Sequence, residues 1–548
     1  MTALFRRGAT TDFTGCPRIA DCDADGTPTV NVGIHENGAL LVGPMDSIQA
    51  AIDAATDCGT LILVEPGTYT ESLVIDGKDV SIIGAGAGQT FIDGGGMQRC
   101  LQMDNTTSQM LIQGVQFRGG SAAGSGGAIL MANAEATFRD CIFFNNDAHE
   151  GGAISASLST IMTLNCTFEQ NTTADPVSLG GGAIHANDSS LIARDCTFTD
   201  NFADSAGGAI YLRGSQQILE GERLTFTLNE ADDGGAIYVE SGAALMLDDC
   251  TLLFNTADDS GGAIGMLSGT LDIRRSTISS NLTFGSGGGI SDASDDSTIT
   301  SCVIAQNRAS ERGGGLYFTG NNQSIMMTNT RISRNEALLE AYGVYVGSAS
   351  MNAAHCTIAF NEPILIRGTS APGHEVLNNA GSLFMINCIV GGGSGGSIEI
   401  GINGTADVTY TNTEEPFPGE GNTSLPPLFV DEDGPDDIPG TPDDDFRLRA
   451  TSPCVDAGLT LPPGLGIDFD IDGRARVVNA SADMGAWEFP CFGDANGDGV
   501  VNFIDLDLVL GNWATATEPG ENGDVTYNGS VNFGDLDGVL SFWGVVCE

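Results

Sequence analysis

The chain has 548 residues, with 21 Lys and Arg against 72 Asp and Glu, for a formal net charge of −51. That balance excludes nucleic acid as a partner, because phosphate recognition needs basic surface. It also disfavours anionic membranes and polyanionic substrates, and favours divalent cations and high solubility. No run of eighteen apolar residues occurs, so no membrane-inserted helix is expected.

Residues 1–44 read as an N-terminal extension. Met1-Thr2-Ala3-Leu4-Phe5-Arg6-Arg7 lacks the apolar core of a signal peptide, so either the start is incomplete or export takes another route. Asp21-x-Asp23-x-Asp25-Gly26 opens like a Ca²⁺ loop, but Val32 stands where the twelfth ligand belongs. Among the 14 cysteines, Cys16 with Cys22 and Cys491 with Cys547 are the candidate disulfides, and both suit an extracellular or cell-surface setting.

Residues 45–490 read as one coil with caps. At its start, Ile48, Ala51, Ile52 and Ala55 have helical spacing, and Gly59–Glu71 reads strand, turn, strand. A short amphipathic helix would cover the open end of a coil, whose first turn has unpaired backbone and an exposed core.

From about residue 120 to residue 361 one phrase returns about every 26 residues. It opens on Gly-Gly-Ala-Ile: Gly126–Ile129, Gly151–Ile154, Gly181–Ile184, Gly207–Ile210, Gly234–Ile237 and Gly261–Ile264, with fading copies at Gly288-Gly289-Ile290 and Gly314-Gly315-Leu316. Its second half runs from Cys141, Cys166, Cys196, Cys250, Cys302 and Cys356 to Asn146, Asn171, Asn201, Asn255, Asn307 and Asn361. The apolar runs between are short and β-branched, and no 3.6-residue period appears, so each repeat reads as several strands. The predicted fold class is therefore all-β, a parallel β-helix solenoid whose turns lie about 4.8 Å apart, so that like residues stack into columns.

In that arrangement the Ile points inward, the glycines adopt conformations closed to other residues, and Cys acts as a small buried hydrophobe. Leu224, Ser276 and Thr330 take the Cys phase elsewhere, so the position asks for small or apolar rather than for sulfur chemistry. Seven cysteines lie between Cys141 and Cys388, six of them at this phase. The Asn column, which Asn229, Asn281 and Asn335 complete, is expected to bond turn backbone and the next Asn along the axis.

Gly-Gly-Ala-Ile with Phe143…Asn146, Phe168…Asn171, Phe198…Asn201 and Phe226…Asn229 resembles the repeat of polymorphic outer-membrane proteins. More broadly the chain is similar to right-handed parallel β-helix proteins of the pectate-lyase-like superfamily. The resemblance implies right-handedness and an N-terminal capping helix; it leaves function open, because one coil carries enzymes, adhesins and passengers.

Gly67-x-Tyr69-x-Glu71 matches the opening motif of pectinesterases, but their later aspartate and arginine motifs are absent, as are polygalacturonase signatures, so Glu71 is read as a turn residue. His35, His149, His185, His355 and His374 are scattered, and Arg274-Arg275, Arg312 and Arg331 read as surface residues. Asp175, Asp204, Asp232 and Asp258 each follow an Ala and should form a stripe. Carboxylates about 5 Å apart repel by roughly 1 kcal/mol in water, which a cation would relieve.

Between 380 and 490 come the acidic run from Asp431 to Asp445, then Ser452-Pro453-Cys454, Asp468-Phe469-Asp470-Ile471-Asp472-Gly473-Arg474 and Asp483-Met484-Gly485-Ala486-Trp487-Glu488. These resemble the closing segment of bacterial secreted β-helix proteins and read as a solvated cap, with a structural Ca²⁺ site as the sharper alternative.

Residues 491–548 carry the one motif with defined chemistry. The first loop offers Asp494, Asn496, Asp498, Asn502 and Asp505 at positions 1, 3, 5, 9 and 12, the Val500 carbonyl at 7, and Gly499 at 6 for the sharp turn. The second offers Asp524, Thr526, Asn528, Ser530, Asn532 and Asp535 in the same spacing, with fewer charges and therefore weaker expected Ca²⁺ affinity. Each precedes an apolar helix face, Leu506, Val509, Leu510 and Trp513 or Leu536, Val539, Leu540 and Trp543.

Asp at position 12, the duplication and the missing preceding helices resemble a type I dockerin, a small α-helical, EF-hand-like module. The resemblance implies Ca²⁺-dependent docking onto a cohesin-like protein. Phe503-Ile504 and Phe533-Gly534 stand where dockerins usually carry small hydroxyl residues, which opens another surface receptor as the alternative.

Two functions follow: an exported Ca²⁺-binding β-helix for surface or carbohydrate binding and display, held by its tail, or a polysaccharide lyase or glycoside hydrolase. The missing catalytic constellation and the scarcity of bases favour the first.

Overall fold

The computed structural model describes residues 39–55, 59–106, 110–173, 180–215, 217–321, 323–363, 374–393, 396–434, 444–462, 467–477, 481–489, 493–496, 500–517, 522–526, 530–541 and 543–544. Cys16, Cys22, the Asp21 loop, His35, Asp175, Asp498, Asn528, Cys491 and Cys547 lie outside them. The chain forms two compact units, one of residues 1–272 with 281–283, the other of 273–280 with 284–548.

The first unit is a parallel β-helix. One turn consists of strands Ile154–Ser157, Thr160–Leu164, Thr167–Glu169 and Thr172–Thr173, and each strand pairs in parallel with its counterpart a turn away. We number these four sheets in that order. The first holds Ile129, Ile154, Ile184, Ile210, Ile237 and Ile264 in register, all fully buried. The third stacks Phe143, Phe168, Phe198 and Phe226 with ring centroids 4.5–4.7 Å apart.

The glycine pair has a steric cause at each position. Gly151 sits at φ +62°, the left-handed region that favours glycine. A Cβ on Gly152 would lie 2.3 Å from the Gly182 carbonyl oxygen and 2.5 Å from that of Thr172. In the second unit the glycines before Ile290 and Leu316 prove to be full copies rather than fading ones. Gly287 (φ +76°) and Gly313 (φ +63°) take the first place, and Gly289 and Gly315 replace the alanine.

The Asn column forms as expected. Asn171 accepts on Oδ1 from the Asn146 N–H (3.2 Å) and Nδ2 (2.9 Å), while its own N–H (3.1 Å) and Nδ2 (3.0 Å) donate to Asn201 Oδ1. The chain of bonds continues through Asn229 and Asn255 to Asn281 in this unit. In the second unit it runs from Asn307 through Asn335 to Asn361 and ends on the fully buried Glu375, whose carboxylate accepts from Asn361 N, Asn361 Nδ2 and Gly393 N. A carboxyl group suits the last place because its two oxygens can take several donors at once. Burial raises its pKa well above the usual range.

The nine cysteines among the described residues are buried free thiols. Cys388 shares the phase as well: its Sγ reaches the carbonyl two residues back, as Cys356 does. Burial pushes the Cys250 thiol up to about 11.

Helix α1 (Ile48–Ala54) buries Ile48 and Ile52. Glu71 accepts from Ser47 Oγ (2.7 Å) and from the backbone N–H groups of Ile48 (3.0 Å) and Gln49 (3.1 Å), at the helix N-terminus where orphan donors need a carboxylate. The pectinesterase-like pattern is thus helix capping.

In the second unit, antiparallel strands Phe429–Asp431 and Asp445–Leu448 supply Phe429, Phe446 and Leu448 to a core with Ile389, Cys454 and Met484. The tail holds α2 (Phe503–Gly511) and α3 (Phe533–Ser541) around Val501, Val509, Val525, Val531 and Val539.

Candidate functional site

The two tail loops have one construction. Asp505, fully buried, accepts from the N–H of Asn502 (2.7 Å) and of Asn496 (3.1 Å). Asp535, equally buried, accepts from Asn532 (2.8 Å) and Thr526 (2.9 Å). Position 12 therefore reaches back to positions 9 and 3 in both loops. The position 7 carbonyls of Val500 and Ser530 each take an amide N–H from position 9, at 2.7 and 2.8 Å.

In the second loop Thr526 Oγ1 lies 2.8 Å from Asp535 Oδ1 and 3.2 Å from Asp524 Oδ1, so three oxygens converge. The segment after α2 pairs with the second loop (Val531 N to Thr515 O, 3.0 Å), and Gly544 N, after α3, reaches Val501 O at 2.8 Å. Phe503 meets Trp543, and Trp513 meets Phe533, edge to face at 4.7 and 4.9 Å.

This donor set is all oxygen, which fits a hard cation. Among the described residues no three His, Cys, Asp or Glu side chains converge. A site here would thus add carbonyl, amide and hydroxyl oxygens to its carboxylates, and Asp498 and Asn528 at position 5 lie outside the described residues.

Of the acidic stripe expected in the first unit, Asp204, Asp232 and Asp258 lie among the described residues and act on one another. Burial, then Asp258, Asp259, Asp233 and Asp204, raises the pKa of Asp232. On the outer face of the first sheet, Glu150 contacts His185 Nδ1 (3.4 Å) and Ser125 Oγ (2.9 Å). The contact with His185 takes the Glu150 pKa down to about 2. Tyr211 stands edge-on to His185 at 5.1 Å. His185 and Tyr211 are both buried, while the Glu150 side chain is about one-third exposed.

The closing segment is not the solvated cap expected. Asp470 accepts from Asp472 N, Arg474 N and Glu488 N, and Asp483 from Asp456 N and Phe489 N. Arg476 donates to the carbonyls of Gly485 and Ala486 and to Asn329 Oδ1. These buried carboxylates are bonded to backbone N–H groups of the closing segment itself. Arg331 is not a surface residue either, since it lies over the Phe446 ring at 4.9 Å. Arg312 does pair at the surface, with Glu340 at 3.0 Å.

Against the second sheet of this unit the segment Phe469–Gly473 forms one wall of a cleft of about 690 Å³, which Arg274, Arg275, Thr298, Thr300 and Thr328 also line. Sequence reasoning noted the Asp468–Gly473 run but not its placement, because nothing periodic links it to residues 140 positions earlier.

The right handed beta helix region family matches residues 99–251, 181–362 and 235–414. No curated protein matches the chain. Among solved structures, the catalytic domain of GH87 alpha-1,3-glucanase in complex with nigerose is similar at 13% identity, covering 69% of this chain and 70% of that one, with TM-score 0.32. Pectate lyase Pel9A is similar at 13% identity, covering 82% and 96%, with TM-score 0.25. The A-module of the Azotobacter vinelandii mannuronan C-5 epimerase AlgE6 is similar at 13% identity, covering 70% and 95%, with TM-score 0.23. With its family match running from residue 99 to residue 414, more than half its length, this chain belongs to the right-handed β-helix family.

Proposed function

We propose that the chain is an exported, Ca²⁺-binding β-helix protein that presents its coil for surface or carbohydrate binding and is held to a protein partner by its dockerin-like tail. The observation that carries this reading is the duplicated loop, with a buried Asp505 or Asp535 drawing positions 3 and 9 together. Asp494, Asn496, Asn502, Asp505 and the Val500 carbonyl would hold one ion, with Asp498. Asp524, Thr526, Ser530, Asn532 and Asp535 would hold the other, with Asn528. Bound Ca²⁺ supplies the positive charge that a buried aspartate in an apolar module calls for.

Docking is supported by apolar side chains left in water on both helices: Phe503 at 75% exposure and Phe533 at 77%, with Ile504, Leu510 and Leu540. A cohesin-like protein or another surface receptor is the partner chemistry this face fits. For the catalytic alternative, glycoside hydrolysis needs two available carboxylates flanking the bond. Both oxygens of Asp470, in the outer-face cleft, are bonded to backbone N–H groups, which favours binding over turnover.

Calorimetry of the full chain tests the reading. Two Ca²⁺ sites are expected, the tighter lost in Asp505→Ala together with Ca²⁺-dependent capture of a cohesin-like receptor. An isotherm identical to the parent's would refute the metal assignment.

A further inference from the structure

We propose that the cleft on the second sheet of the second unit binds a strand of neutral glycan; this rests on the carbohydrate-binding reading above and names its site and ligand class. The floor is a carpet of hydroxyls. Thr298 and Thr300 sit in register with Met326 and Thr328 one turn on, so outward side chains repeat about every 4.8 Å along the axis. Thr328 Oγ1 donates to Thr300 Oγ1 at 3.1 Å, which fixes the floor.

The wall is fixed too. Asn329 Nδ2 donates to the Phe469 carbonyl at 2.6 Å, and Arg476 Nη2 holds Asn329 Oδ1 at 2.6 Å. Phe469 is thus anchored by its backbone while the residue is 59% exposed, a preorganised aromatic side chain at the cleft wall. Aromatic faces of this kind pack against the C–H surface of a sugar ring, while nearby donors and acceptors take its hydroxyls. Arg274 and Arg275 supply donors in the cleft, and Asp472 supplies an acceptor.

The cleft does not stop there. A second hollow of about 250 Å³ shares Met326 and continues past Asn352 and Phe384 to Asp407, one residue per turn of the same sheet. Phe384 is 46% exposed and gives a second platform. A track crossing several turns fits an extended polymer better than a single sugar. Charge selects among polymers: Asp407 and Asp472 line the track in a chain of net charge −51, which repels a polyanion.

The test titrates the full chain with cellohexaose, laminarihexaose, mannohexaose, xylohexaose and maltohexaose, and with hexagalacturonate as the anionic arm, in low and high NaCl. Expected is binding of at least one neutral oligosaccharide, insensitive to salt, and weakened roughly tenfold in Phe469→Ala and in Phe384→Ala with an unchanged melting temperature. Neutral binding that both variants leave intact would overturn this site while leaving the carbohydrate-binding reading standing. Preference for hexagalacturonate, weakened by salt, would overturn the ligand class. No binding in either arm would overturn the site and the carbohydrate half of the proposed function, whereas Ca²⁺ titration of the tail reports the other half separately.

Discussion

In the first unit Asn171 is held by Asn146 and Asn201, its own copies one turn away; in the second, Arg476 is held by Asn329, Gly485, Ala486 and Glu488, no two alike. Both groups are buried polar atoms that must find partners or cost stability. Repetition meets the need with one residue type, because the phase that buries a donor also delivers its acceptor. The closing segment lacks that symmetry, so each group is met by partners of its own, some local, such as Gly485 and Ala486, and some distant, such as Asn329. The comparison teaches that the periodic region should tolerate change where the phase supplies alternatives, and the aperiodic region should fail at single residues.

The largest expected effect tests the aperiodic side. Arg476→Met should destabilise the closing segment by about 3–5 kcal/mol, because Glu488 and Asn329 are left buried without their cation. Hydrogen exchange should show residues 454–489 opening while the first unit stays protected; uniform loss across the chain would show that the segment is not a separate cooperative element.

Next, Asn201→Ala should cost about 3 kcal/mol, since the Asn171 N–H and amide both lose their acceptor in the interior. Denaturant midpoints measure it, and a change under about 1 kcal/mol would mean that water or a neighbouring turn replaces the column.

The pH dependence comes third. Burial, helped by Arg476, pushes His355 down to about 2 from 6.5. The native state therefore stays unprotonated where the unfolded chain takes a proton, and this contribution to stability is lost as pH falls below 6.5, by up to about 1.4 kcal/mol per unit. Burial pushes Asp483 the other way, from 3.8 up to about 7, so its contribution is lost as pH rises between those values. In the parent the two oppose each other between about pH 4 and 6.5. His355→Gln should leave Asp483 unopposed, and its melting temperature, followed across that range, should fall as pH rises more steeply than the parent's. Parallel profiles would refute the His355 assignment.

The smallest effect belongs to the column that admits substitutes. Cys250→Ser should cost under about 1 kcal/mol, since Ser276 and Thr330 already occupy the same buried phase. A larger loss in a chemical melt would show that sulfur packing matters there.

The coil was legible because its physics repeats. Gly152, Ile154, Phe168 and Asn171 each recur with the same neighbours, so the sequence period states the contact map. Glu375 was not legible. Only 14 residues separate it from Asn361, which breaks the period, and an acid read in isolation gives no hint that it ends an amide column. The bonds from Arg476 to Asn329 and from Ala486 to Thr357, which span 147 and 129 residues, carry no local signature at all. Of the site, the tail loops were readable from ligand spacing. The cleft was not, since its floor and wall come from unrelated stretches. Glu71 shows the converse, a pattern that matched an enzyme motif while its carboxylate serves a helix end.

The one-way sense of the asparagine bonds has a bearing on how the coil is built. Each rung gives its backbone N–H and one amide hydrogen forward to an oxygen that the following winding has yet to bring, and its other amide hydrogen back to a carbonyl of the winding already laid down. A growing solenoid therefore always presents a thirsty leading edge, and each added winding quenches the previous one while renewing the demand. Synthesis from the amino end feeds windings in just that order, so elongation and zipping can proceed in step. Glu375 then acts as a stop signal, its carboxyl oxygens taking the last hydrogens of the column.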